Sequence, residues 1–116
     1  MSLGALEREV MGLCWRSRDA LTVRDALLAL NNARAEPLAY TTVMTVMARL
    51  AEKGILIRSP RGRGYAYTPA VTDEAAIAVR EVLEMYGTAA VAHFAVQASA
   101  DPELRTRLRK LLDESG

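Results

Sequence analysis

The sequence predicts a mainly α-helical protein with a small antiparallel β wing: a winged helix-turn-helix followed by a C-terminal helical region. Three observations predict it. Three segments with apolar residues at helical spacing precede two β-prone runs that flank a Gly/Pro-rich stretch, and everything after Pro69 reads as helix. The net charge of +1 conceals a polarity: residues 1–69 carry ten Arg or Lys against six Asp or Glu (+4), residues 70–116 five against eight (−3). The third helical segment also sets a row of threonines opposite its apolar stripe. We therefore expect residues 1–70 to form a winged-helix DNA-binding domain and residues 71–116 a separate helical domain.

In the first helix, Leu6, Val10, Leu13 and Cys14 recur at helical spacing between Ala5 and Trp15, with Trp15 expected in the core. Leu21-Thr22-Val23 is a short β-leaning stub. Thr22 suits an N-cap, with Asp25 three residues on, for a second helix carrying Val23, Ala26, Leu27 and Leu30. Asn31-Asn32 would end it, because Asn tolerates the backbone conformation that helix ends use. A third helix runs from about Tyr40 to Lys53: Val43, Val46, Met47 and Leu50 fall at i, i+3, i+4 and i+7, and Gly54 is placed as its terminator. Ile55–Ser59 and Tyr65–Thr68 are expected as strands, with Pro60–Gly64 as the loop between them and Pro69 as the stop. Beyond it, Thr72 or Asp73 caps a helix to about Tyr86. Thr88 caps the next, and Asp101-Pro102-Glu103 starts the last with a capping carboxylate and Pro at the first helical position.

The chemistry concentrates on the third helix and the wing. Thr41, Thr45 and Arg49 sit at i, i+4 and i+8, with Thr42 alongside. Thr hydroxyls exchange hydrogen bonds with base edges and the Thr methyl packs on thymine, while the major groove admits a helix. Thr is a poor helix former, so three of them within five residues exceed what one cap requires. Arg49 is expected at a phosphate. On the wing, Arg61 and Arg63 among glycines, with Arg58 at the base, suit phosphate or minor-groove contact. The Tyr40 hydroxyl is within reach of a phosphate from the helix entry, whereas Tyr65 and Tyr67, on one face of their strand, are expected to pack.

Other functions find little support. One cysteine builds neither a disulfide framework nor a thiolate metal site, and Cys14 reads as buried core. His93 has no second His, and no carboxylate cluster has metal-ligand spacing. With no nucleophile–base pair and no phosphate-cradling glycine loop, neither an enzyme nor a metal or cofactor is expected. Half the residues are apolar, but no run approaches the roughly 18 a membrane span needs. The start, Met1 to Val10, carries Glu7, Arg8 and Glu9 in place of a signal sequence, so the expected location is cytoplasmic without membrane insertion.

Leu6-Glu7 through Val10-Met11, Trp15, the block Tyr40 to Gly54, and Arg63-Gly64-Tyr65-Ala66-Tyr67-Thr68-Pro69 together resemble the penicillinase-repressor (BlaI/MecI) family of winged-helix regulators. The spacing Thr-x-x-x-Thr-x-x-x-Arg-Leu-x-x-Lys-Gly is the most specific piece. The resemblance implies a homodimer on a palindromic double-stranded DNA operator, repressing β-lactam-resistance or related genes. It places dimerisation in the helical tail, where Val79, Val82, Leu83, Tyr86, Val91, Phe94, Leu104, Leu108 and Leu111 are the apolar candidates. It also implies release by cleavage of the tail under a membrane sensor protease system. The family's scissile Asn-Phe corresponds here to His93-Phe94. The cysteine cluster of the family's copper-responsive branch is missing. Two other readings stay open from the residues: a winged helix used for protein contact, and a ligand-responsive repressor of another winged-helix family.

Overall fold

The computed structural model describes residues 3–115. The elements run α1 (Ala5–Arg16), β1 (Leu21–Thr22), α2 (Val23–Asn31), α3 (Tyr40–Glu52), β2 (Leu56–Arg61), β3 (Gly64–Pro69), α4 (Glu74–Tyr86), α5 (Thr88–Ala100) and α6 (Pro102–Ser115). This is a winged helix-turn-helix with a helical extension. The chain divides into two compact units, Met1–Ala78 and Val79–Gly116, with the division inside α4.

In the first unit, α1, α2 and α3 pack on one another, and Met11, Met47, Leu50, Leu56, Val10 and Val43 are fully buried at its centre. Each contributes about 1.5–3 kcal/mol by leaving water. Local chemistry sets the element ends. Gly4 N–H donates to Glu7 Oε1 at 3.0 Å at the start of α1. Thr22 and Asp25 form a reciprocal capping box on α2, with Asp25 N–H to Thr22 Oγ1 at 3.1 Å and Thr22 N–H to Asp25 Oδ2 at 3.0 Å. Helix α3 ends in a Schellman motif: Ile55 N–H donates to Leu50 C=O at 2.9 Å and Gly54 N–H to Ala51 C=O at 3.0 Å. Gly54 takes φ 75°, which a Cβ would penalise. Trp15 is half-buried, and its indole N–H donates to Val71 C=O at 2.9 Å.

The three strands form an antiparallel sheet in the order β1-β3-β2, with Leu21 opposite Tyr67 and Arg58 also opposite Tyr67. The wing is tighter than the sequence suggests. Pro60 and Arg61 belong to β2, Arg61 pairs with Gly64, and only Gly62 and Arg63 turn the chain. Gly62 at φ 60° in the first central position matches a type II′ hairpin. Pro60 is tolerated because β2 is an edge strand.

Helix α2 ends at Asn31–Asn32 as expected but without a left-handed cap, and the start of α5 differs from expectation. Asn32 stays right-handed (φ −58°, ψ −32°), and Asn31 instead uses its side-chain amide to clamp the loop through Leu38 N–H and C=O, at 2.7 and 3.1 Å. Helix α5 is capped by Gly87 (φ 56°, ψ −133°), a conformation suited to Gly, so Thr88 becomes the first helical residue. The other tail caps follow the sequence. Asp73 Oδ1 accepts from Ala76 N–H, and Asp101 Oδ1 accepts from Glu103 and Leu104 N–H.

Candidate nucleic-acid interface

Helix α3 turns Val43, Met47 and Leu50 fully inward, which fixes the direction of its opposite side. Thr41, Thr42, Thr45 and Arg49 are all exposed there. None of the threonines is the cap: that position is Ala39, which has no side-chain acceptor to offer the first-turn amides. A helix start of this kind favours an anion nearby.

Beside this face lies an open groove of about 480 Å³, formed by the start of α2, the start of α3 and the wing. Of the residues expected at DNA, the groove brings together Tyr40, Arg61 and Arg63. Thr41, Thr42, Thr45 and Arg49 lie on the exposed face of α3 outside its lining. Arg58 also stands outside it, with its guanidinium 4.5 Å from the centre of the Tyr65 ring.

The lining also includes residues not singled out from the sequence for this role, among them Arg24, Met44 and Tyr65. Arg24 follows the Thr22 cap by two residues, and Met44 lies one turn beyond Thr41, so their positions carried a signal. The expectation that both wing tyrosines pack holds for Tyr67, which is 3 % exposed, and fails for Tyr65, which is 42 % exposed. The register supplies the reason. Leu21 of β1 reaches Tyr67, whereas Tyr65 pairs with Pro60 beyond the end of β1.

The ion pairs in the first unit lie elsewhere, at Arg8–Glu74 (2.5 Å), Arg34–Glu9 (2.6 Å) and Lys53–Glu7 (3.2 Å). Among the described residues Arg49, Arg61 and Arg63 make no ion pair, so their charge stays available to a polyanion. Asp25 titrates below its ordinary range, chiefly because the Thr22 backbone N–H and hydroxyl bond its carboxylate, with a smaller contribution from the charge of Arg61. Cys14 is buried, which pushes its thiol up to about 11. Among the described residues no group of three or more His, Cys, Asp or Glu is arranged to hold a metal, and no helix is long and apolar enough to cross a membrane.

The sequence model of the family described as Penicillinase repressor matches residues 3–114. The chain is 45% identical over 67 residues to proteins named Transcriptional regulator BlaI from two strains of Mycobacterium tuberculosis, CDC 1551 / Oshkosh and H37Rv. That match covers 58% of this chain and 47% of each relative, so it spans about half their length. Among solved structures, the fold is similar to the complex structures of hsRosR-S4 and hsRosR-S1, each with a TM-score of 0.54 and 18% identity. These cover 97% of this chain and 89% and 91% of theirs.

Proposed function

Because the chain belongs to the penicillinase repressor family, we propose that it is a sequence-specific DNA-binding transcriptional repressor that acts as a homodimer on a palindromic operator. The observation that carries this reading is the exposed Thr41–Thr42–Thr45 face of α3 beside a groove lined by Arg24, Arg61 and Arg63. In this scheme α3 enters the major groove and its threonines meet base edges. Arg49 and the wing arginines hold phosphates, which positions the protein without reading sequence. One such head gives weak, salt-sensitive binding. Joining two through the tail raises affinity by effective concentration, and two-fold symmetry asks for half-sites one or more helical turns apart.

The regulated genes are of the β-lactam-resistance type or related to it. Derepression follows when a membrane sensor protease system brings about a cut near His93-Phe94. Both residues are exposed within α5, so cleavage there requires local opening of that helix. The cut separates the two heads, and binding falls to the value of one.

Selection of the full chain on random duplexes at moderate salt tests the proposal. An inverted-repeat motif should be enriched. Arg49→Ala and Arg61→Ala should then weaken binding to every sequence and each lower the salt slope by about 1.8, one phosphate contact per protomer, whereas Thr45→Ala should change base preference within a half-site. Failure to enrich any duplex, or intact binding in all three variants, overturns the assignment.

A further inference from the structure

The wing contains a pair of side chains whose roles the sequence pattern assigns the other way round. Tyr65 lines the groove together with Arg24, Arg61 and Arg63, while Arg58 does not line it and lies against the Tyr65 ring, 4.5 Å from its centre. Resting on the DNA-binding reading above, we propose that Tyr65 contacts the sugar–phosphate backbone of the bound duplex and that Arg58 is a positioning residue that holds the Tyr65 ring in place.

The register explains how the pair forms. Arg58 is directly opposite Tyr67, and Tyr65 is the diagonal neighbour on the same sheet face, a spacing that long side chains and aromatic rings bridge. β1 ends with Thr22 opposite Ala66, so the sheet extends no third strand alongside Tyr65. A guanidinium over the ring therefore supplies the restraint that β1 does not, through attraction to the negative face of the π system. Tyr65 itself lines the groove, together with Arg24, Arg61 and Arg63, whose positive charge suits a phosphate. A phenol there adds a neutral donor to a phosphate oxygen, one of the donor types that fix a protein on a duplex without reading its sequence.

The salt dependence of binding separates this from direct contact by Arg58. A cation that neutralises a phosphate contributes about 0.9 to the slope of log affinity against log salt, and a neutral hydroxyl contributes nothing. The experiment is fluorescence anisotropy of the full-length protein on its selected duplex and on a scrambled duplex of equal length. Each is titrated over a salt series for Tyr65→Phe, Tyr65→Ala, Arg58→Gln and the Tyr65→Ala/Arg58→Gln double variant. Trp15 emission checks that each variant is folded.

Tyr65→Phe should lose roughly 10- to 100-fold in affinity on both duplexes, the worth of one neutral hydrogen bond from each protomer, with the slope unchanged. Arg58→Gln should lose a similar factor with a slope change well under the roughly 1.8 of two phosphate contacts per dimer, and it should lose nothing further in the Tyr65→Ala background. A slope loss of about the full 1.8 in Arg58→Gln, an Arg58 effect that persists without the Tyr65 ring, or a silent Tyr65→Phe overturns the proposal. Arg61→Ala, measured alongside, distinguishes the two levels. If it lowers the slope, such results remove only the Tyr65–Arg58 assignment. If Arg61→Ala alone leaves binding intact, the wing groove is not at the DNA and only this assignment falls; if Arg49→Ala and Thr45→Ala leave it intact as well, both readings fall.

Discussion

In the first unit, Val10, Met11, Val43, Met47 and Leu50 are sealed from water. In the second, Val79, Val91, Phe94, Val96 and Leu112 each keep about half or more of their surface exposed, and Ala98 is the buried residue there among those described. Both units are built from regular helices, so helix content does not distinguish them. The head holds a core of its own, which caps and a sheet then refine. The tail has helices without a core, and α5 is apolar around most of its circumference. A helix apolar on all sides belongs in an interior, and apolar surface this extensive marks an interaction site. For the proposed repressor, a second copy of the tail supplies that interior.

Several substitutions would break or sharpen this contrast. The largest effect is expected from Val91→Glu. Val91 is exposed in the single chain, so the change should act through association: the protein should sediment as a monomer, and operator affinity should fall roughly 10²- to 10⁴-fold. A dimer with full binding would remove the tail from the interface. Met47→Ala should act the other way, costing the head about 2–5 kcal/mol in denaturation followed by Trp15 emission, because Met47 is fully buried. Sedimentation at concentrations where the head stays folded should still give a dimer. Thr22→Ala removes one half of the α2 capping box and should cost about 1 kcal/mol by the same measurement.

The smallest effect concerns pH. Asp25 and Glu7 both titrate below their ordinary ranges. Bonds from Thr22 hold Asp25 there, and the Gly4 N–H, followed by Lys53, holds Glu7 against an opposing contribution from its burial. Carboxylates with depressed folded values add stability that is complete above the ordinary carboxylate range, about pH 4, and is lost as pH falls through the depressed value. Acid titration of Trp15 emission should therefore show the head weakening below about pH 4, and Asp25→Asn should flatten part of that loss.

Much of the head was legible because its signals are local. Gly54 ends α3, Thr22 and Asp25 cap α2, and the i, i+3, i+4, i+7 stripe of α3 fixes which side meets the core. The exposed Thr face follows from that stripe alone. The wing was less legible because its outcome depends on where a neighbouring strand stops. Period-two alternation places Tyr65 with Tyr67, but only the two-residue length of β1 decides that one is covered and the other bare. Pro60 read as loop because proline ordinarily breaks a ladder, and edge position, a tertiary fact, is what admits it to β2. At α5, Thr88 carried the usual capping chemistry, yet Gly87 takes the cap because the sharp backbone turn there suits a residue without a side chain.

The edge position of Pro60 has a consequence for how this molecule avoids fibrillar assembly. One border of the sheet is β1, only two residues long, and the other is β2, which lacks an amide donor at Pro60 and carries Arg58 and Arg61. Neither border offers an uninterrupted ladder on which a stray strand can template, and cationic side chains repel a second wing brought alongside. A protein that must remain dispersed while presenting bare aliphatic helices thus has its β surface closed to polymerisation.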